Sequence, residues 1–249
     1  MRRIIIANQK GGVGKSTTAI HLSWALASLK KRVLVVDCDP QQNCTIGLLG
    51  GDPTPERTLY HVFADQATAK EATVEVQENL HLLPSDIALA SADVEFGQTF
   101  GRETKLKRAL KALRYDFVIF DTPPSLGLMT INALLAGEEV LIPVSPSMWA
   151  LRGIELLEAT LKRVQKDMEH RELRILGALA TLRDRTNVSR DALEALEGHF
   201  KEKMFRTVIP KSVRIEEANA YSQSIAEFAA GTEIASVYQK LAKEVIKRG

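Results

Sequence analysis

The stretch Asn8-Gln9-Lys10-Gly11-Gly12-Val13-Gly14-Lys15-Ser16-Thr17 holds most of the chemistry that can be read in this chain. It follows an apolar strand candidate, Ile4–Ala7, and precedes a helical stretch from about Lys15 to Leu29. Three glycines in four positions let the backbone approach a polyphosphate without Cβ clashes. Successive N–H groups at a helix N-terminus then face the negative charge. Lys15 is placed to reach the terminal phosphates, and the Ser16 hydroxyl to complete a Mg²⁺ shell. Lys10, Gly11, Gly12, Val13, Gly14, Lys15, Ser16 and Thr17 are therefore the expected phosphate-binding residues of a nucleoside triphosphate site. One letter departs from the usual G-x-x-x-x-G-K-[ST] spacing: position 9 calls for glycine and holds Gln9, while a second lysine, Lys10, opens the loop.

Two acidic strand ends are candidates to work beside that loop. Asp121 closes the apolar run Val118-Ile119-Phe120-Asp121, followed by Thr122-Pro123-Pro124. A carboxylate in that position lies near Mg²⁺ at the carboxyl edge of a sheet, the Walker B arrangement. The second acidic end reads Val35-Val36-Asp37-Cys38-Asp39-Pro40-Gln41. A carboxylate facing a γ-phosphate can orient water by hydrogen bonding. Asp37 is expected to support the loop or the outer shell of the metal.

These groups need a scaffold that brings distant segments to one edge. Short β-branched runs alternate with longer helical patterns: Ile4–Ala7, Arg32–Asp37, Leu80–Pro84, Phe117–Asp121, Glu139–Val144 and Leu173–Leu182, then a short run at Thr207–Pro210. That alternation implies an α/β fold, a mostly parallel twisted sheet with helices on both faces. No repeat or long linker interrupts it, so residues 1–249 read as one domain. Gly47–Thr58 reads as a surface excursion. Phe100–Arg114 reads as an amphipathic helix with Leu106, Leu110 and Leu113 inward and a solvated basic face.

Composition narrows the function classes. The formal net charge of +2 over 249 residues neither demands nor excludes nucleic acid, so any DNA contact needs local clustering of Lys and Arg. The two cysteines, Cys38 and Cys44, form no C-x-x-C pair and offer no disulfide framework or iron–sulfur spacing. No apolar stretch is long enough to span a bilayer, and a reduced, cytoplasmic compartment is expected.

The loop K-G-G-x-G-K-[ST] resembles the deviant Walker A loop of the ParA/MinD/iron-protein superfamily of dimerising ATPases. The absence of cluster-ligating cysteine pairs argues against the iron-protein branch. The resemblance extends to Ile209-Pro210-Lys211-Ser212-Val213-Arg214-Ile215-Glu216-Glu217-Ala218, which looks like the late segment of chromosomal ParA proteins of the Soj type. It implies a P-loop NTPase fold, ATP and Mg²⁺ as cofactors, and an ATP-bound homodimer in which Lys10 reaches the partner's nucleotide. It implies that Asp39 positions the attacking water, with Lys10 and Lys15 completing the catalytic set, and that Ser16 and Asp121 hold the metal. Pro210 is the expected contact to adenine. A loop beginning at residue 10 leaves no room for the N-terminal helix-turn-helix domain of larger plasmid ParA proteins. DNA contact then falls to the ATPase body, with Arg183, Arg185, Arg190, Arg206, Lys211 and Arg214 as candidates; Arg185 and Arg214 match the family's DNA patch best. The partners implied are non-specific double-stranded DNA and a centromere-binding ParB/Spo0J-type protein that stimulates hydrolysis, in a cytoplasmic, nucleoid-associated setting. One alternative is a MinD-like membrane-associated ATPase using Ile234–Arg248 as an amphipathic helix. Another is a metabolic P-loop enzyme such as a kinase or an amidoligase-like synthetase.

Overall fold

The computed structural model describes every residue except Asp52, Thr54, Met148 and Trp149. Its strands are β1 (Arg2–Ile6), β2 (Val33–Asp37), β3 (Val74–Gln77), β4 (Leu80–Leu83), β5 (Phe117–Asp121), β6 (Glu139–Val144) and β7 (Arg174–Ala180). They join in one sheet in the order β3-β4-β2-β5-β1-β6-β7. Every neighbouring pair is parallel except β3 and β4. The chain is thus an α/β protein with a mostly parallel sheet.

Each residue of β2, β5 and β6 is buried, as a strand covered on both faces requires. Alternate side chains divide between two cores, following the period of two along a strand. Ile4, Ile6, Val35 and Ile119 belong to one, and Ile5, Val36, Val118 and Phe120 to the other. The first core is closed by α1 (Lys15–Ser28) and the last helix, Val237–Lys247. The second is closed by the helices Leu128–Ala136 and Ala150–Asp167. Val237, Tyr238, Leu241, Ala242 and Val245 of the last helix are buried, so its apolar stripe is spent on α1 and the sheet rather than left for a lipid surface. No helix among the described residues is long and apolar enough to cross a membrane.

Register places the chemistry. Asp121 pairs with Ile6 on one side and Asp37 on the other, so the carboxyl ends of β1, β2 and β5 stand level. The connections from the adjacent strands β1 and β5 run in opposite directions, from β1 past β5 to β2 on one side and from β5 past β1 to β6 on the other. This is the switch point where open α/β sheets form a crevice.

Four segments differ from the sequence reading. Gly47–Thr58 is not wholly an excursion: α2 (Asn43–Leu49) occupies its start, with Gly47 packed against Ile20, while Asp52 and Thr54 lie outside the described residues. Phe100–Arg114 forms a 3-10 turn, Arg102–Thr104, and a short helix, Lys105–Ala109, instead of one amphipathic helix. Lys105 is buried there and bonds Asp65 at 2.6 Å, because the segment folds over an acidic partner rather than over water. The strand expected at Leu80–Pro84 is β4, but β3, which pairs with it as an antiparallel hairpin, is additional; its signals are the alternation in Val74-Glu75-Val76-Gln77 and the left-handed Asn79 at the turn. Thr207–Pro210 forms no strand, although Phe205 N and Ile209 N donate to Ala178 O and Ala180 O along the edge of β7.

Candidate active site

The segment between β1 and α1 turns on Gly12 and Gly14, at φ 68° and 79°; Gly14 is also the N-cap of α1. A side chain in that left-handed region is strained, so these two positions favour glycine on backbone grounds alone. The loop is pinned from both sides. Asn8 accepts from Lys10 N (3.0 Å) and donates to Pro143 O (2.8 Å), while the Thr181 hydroxyl donates to Val13 O (2.8 Å). Over it opens a cavity of about 510 Å³ lined by Gly11, Gly12, Gly14, Lys15, Ser16 and Thr17 of the loop. Asp39, Pro124 and Asn219 line the same cavity from three other segments.

Electrostatically the floor of this crevice is short of positive charge. Asp121 is fully buried, and neither carboxylate oxygen has a hydrogen-bond partner among the described residues. Burial, then repulsion from Asp37, pushes it well above the usual carboxylate range, while the Ser16 hydroxyl and the Lys15 ammonium pull the other way. Asp37 is also raised, to about 6, chiefly by burial. Unlike Asp121 it is hydrogen-bonded: Thr45 N (2.8 Å), Thr45 Oγ1 (2.7 Å) and Asp39 N (3.1 Å) all donate to it. Asp37 therefore braces the turn that carries Asp39 and the start of α2, rather than the phosphate loop. Asp39 itself is 6% exposed, accepts from Gln41 N, and lines the cavity. Burial lowers the Lys15 pKa, with Asp121 and Asp39 opposing. An unpartnered buried carboxylate beside a serine hydroxyl fits a hard divalent cation. Among the described residues no cluster of three or more His, Cys, Asp or Glu could hold a metal alone. Mg²⁺ takes one or two protein carboxylates and draws its remaining ligands from water and substrate phosphate.

The other expected residues fall in distinct places. Lys10 is exposed, does not line the cavity, and reaches Ser147 Oγ at 3.2 Å. Pro210 lines a smaller adjoining cavity of about 230 Å³ with Thr181, Leu182 and Tyr238; the two cavities share Gly12, Gly14 and Thr17. Arg183, Arg185, Arg206 and Lys211 line one surface groove. Arg214 stands outside it on the helix Val213–Ala220, exposed, 3.9 Å from Glu217. Arg190 sits 3.6 Å from Asp191 and also lies outside the groove. Cys38 and Cys44 are buried thiols, their pKa pushed up by burial.

Sequence reasoning passed over Asn219 and Thr181. Asn219 donates to Thr17 Oγ1 at 3.5 Å and leaves its Oδ1 buried at the cavity wall without a partner among the described residues. Nothing in the spacing singles out either residue; a polar side chain becomes visible only when the last third of the chain folds over the loop.

Residues 1–175 match the family model described as an AAA domain. The chain is 44% identical to the sporulation initiation inhibitor protein Soj of Bacillus subtilis, over 99% of this chain and 98% of that one. It is 45% identical to the chromosome-partitioning ATPase Soj of Thermus thermophilus, over 100% and 96%. It belongs to the ParA/MinD superfamily, Soj type. A solved structure similar to this Soj-type chain is cobyrinic acid a,c-diamide synthase from Mycobacterium smegmatis with bound ATP analog and magnesium: TM-score 0.84, 33% identity, covering 99% of this chain and 95% of that one. The Soj-type chain is a partitioning ATPase that hydrolyses ATP to ADP and phosphate with Mg²⁺.

Proposed function

We propose that residues 1–249 act as one nucleotide-switched ATPase domain that moves a chromosome or plasmid, alternating between an ATP-bound dimer on DNA and released monomers. The position of Lys10 carries this reading. Lys15 is buried at its own site, whereas Lys10 sits on the same loop with its ammonium exposed and outside the cavity. A cation so placed suits phosphates brought by a second copy of the chain, and neutralising them would couple nucleotide to assembly.

Within each site, the loop N–H groups from Gly11 to Thr17 and Lys15 bind the phosphates, and Pro210 contacts the adenine. Ser16 and Asp121 hold Mg²⁺, which supplies charge neutralisation on the phosphates. Asp39 orients the attacking water. Its carboxylate is held by the Gln41 N–H, and its backbone by the Ser85 hydroxyl at 2.7 Å and by Asp37. Rigid support of this kind limits the reorganisation needed when water is bound.

The dimer binds double-stranded DNA without sequence preference through Arg185 and Arg214, and two copies of the patch make affinity depend on nucleotide state. A ParB/Spo0J-type partner stimulates hydrolysis and releases the monomers, in the cytoplasm on the nucleoid. Replacing Asp39 by Ala should trap an ATP-bound dimer on DNA, and Arg214→Glu in that background should keep the dimer while weakening DNA binding. Size measurements showing Asp39→Ala solitary in saturating Mg²⁺-ATP would refute the switch. An ATPase that turns over only with an added small-molecule acceptor would favour an amidoligase-like synthetase instead.

A further inference from the structure

A second basic groove, of about 950 Å³, runs along the outer edge of β7, and of its lining only Arg206 is among the expected contacts. Its wall is the segment Lys201–Arg206, which lies so close to β7 that a Cβ on Gly177 would collide with the Lys203 carbonyl. Arg248 fixes that wall: it donates to Lys203 O (3.0 Å), Met204 O (2.6 Å) and Glu244 (2.8 Å), and stacks over Phe205 at 4.0 Å. Glu244 is consumed by Arg248, Arg206 N and Thr207. Arg174 is paired with Glu139.

What remains facing solvent is Lys201, Lys203, Arg206, Lys243 and Lys247, all exposed and none in an ion pair among the described residues, against Glu197 and Glu202. Arg206 also lines the groove that holds Arg183, Arg185 and Lys211. The two grooves therefore share Arg206, and the one holding Arg183 adds Lys240 to its arginines and Lys211, against Asp184 and Glu233. Clustered cations without partners repel one another, and a row of phosphates relieves that repulsion while releasing its own counterions.

We propose that this groove is a second contact for the nucleic-acid backbone, extending the DNA path from Lys211 past Arg206 to Lys203, Lys243 and Lys247. The proposal rests on the DNA reading above. Lysines in a groove without planar, bidentate partners suit phosphate as point charges and carry no sequence information.

The test uses the full chain, held in its ATP state with a non-hydrolysable analogue and Mg²⁺, and random-sequence duplex DNA titrated across salt concentrations. The triple variant Lys203→Gln, Lys243→Gln, Lys247→Gln should keep its thermal midpoint and its DNA-free ATP turnover. The slope of log affinity against log salt should become shallower by about 0.9 for each lost contact, up to about 3 per protomer. An unchanged slope, with Arg214→Glu still weakening binding, overturns this contact and leaves the DNA reading standing. No binding by the unaltered chain overturns both. Loss of binding to anionic vesicles with DNA binding unaltered assigns the groove to lipid headgroups and also overturns the proposal.

Discussion

Two buried carboxylates at opposite ends of the sheet show the difference between a group that stabilises and a group held ready. Glu139 begins β6 at the amino-terminal edge, is 3% exposed, and is gripped by Arg2 Nε at 2.8 Å and by Arg174. Asp121 ends β5 at the carboxyl edge, is equally buried, and has no hydrogen-bond partner on either oxygen among the described residues. The first charge is compensated within the fold. The second costs stability that the fold recovers elsewhere, and the deficit lies beside Ser16 and Lys15 at the foot of the glycine-rich loop. Burial alone separates neither from the other; the partners do.

This contrast can be attacked directly. The largest expected effect is on turnover: Asp121→Asn should lower Mg²⁺-dependent ATP hydrolysis by about 10³-fold, in the range of losses seen when an electrostatic group is removed from an active site. Turnover within tenfold of the unaltered enzyme would put Asp121 among the structural carboxylates. Next is Glu139→Ala, which should destabilise the fold by about 3 kcal/mol by stranding Arg2, with turnover per folded molecule unchanged. Denaturant unfolding beside a turnover assay separates the two effects, and an unmoved midpoint would mean that the ion pair contributes nothing.

His21 provides an intermediate case. Its Nδ1 accepts from Ile225 N at 3.3 Å, its Nε2 has no partner among the described residues, and it lies 5.0 Å from the Tyr238 ring. Burial pushes its pKa down to about 4. Because the folded value lies below the ordinary His value, the unfolded chain takes up the proton first as pH falls. Stability supplied by the neutral ring is complete above about pH 6.5 and drains away toward pH 4. Between pH 7 and 5 it should fall by about 2 kcal/mol relative to a His21→Asn chain. Identical pH profiles for the two chains would show that the ring is protonated at no cost. The smallest effect is the most diagnostic: without nucleotide, Asp121→Asn should raise stability by about 1 kcal/mol, since an amide is cheaper to bury than an unpaired carboxylate. Calorimetry showing a lowered midpoint would mean that Asp121 already has a partner within the fold.

The order in which strands and acids follow one another along the chain was readable because it is local. Glycine at positions requiring positive φ, a lysine and serine at the head of a helix, and aspartates closing apolar runs each leave a signature within a few residues. The same locality explains the errors. Phe100–Arg114 has leucines at helical spacing, but Asp65 captures Lys105 and Asn132 accepts from Leu106 N (3.0 Å), contacts from elsewhere that split the helix. Thr207–Pro210 looks like a strand, yet it touches β7 only at scattered points.

By itself, then, the amino-acid order determined a glycine-rich turn at the end of a strand in a parallel sheet and which residue types stand beside it, since short-range backbone preferences and the two-residue period suffice for that. Only the tertiary structure decided that Asp37 braces while Asp121 stays bare, that Asn219 and Thr181 close on the loop, and that Arg206 lines two basic grooves. Those outcomes depend on register between strands far apart in the chain and on which polar groups find partners when the helices close. Neither quantity is encoded in any one window of the sequence.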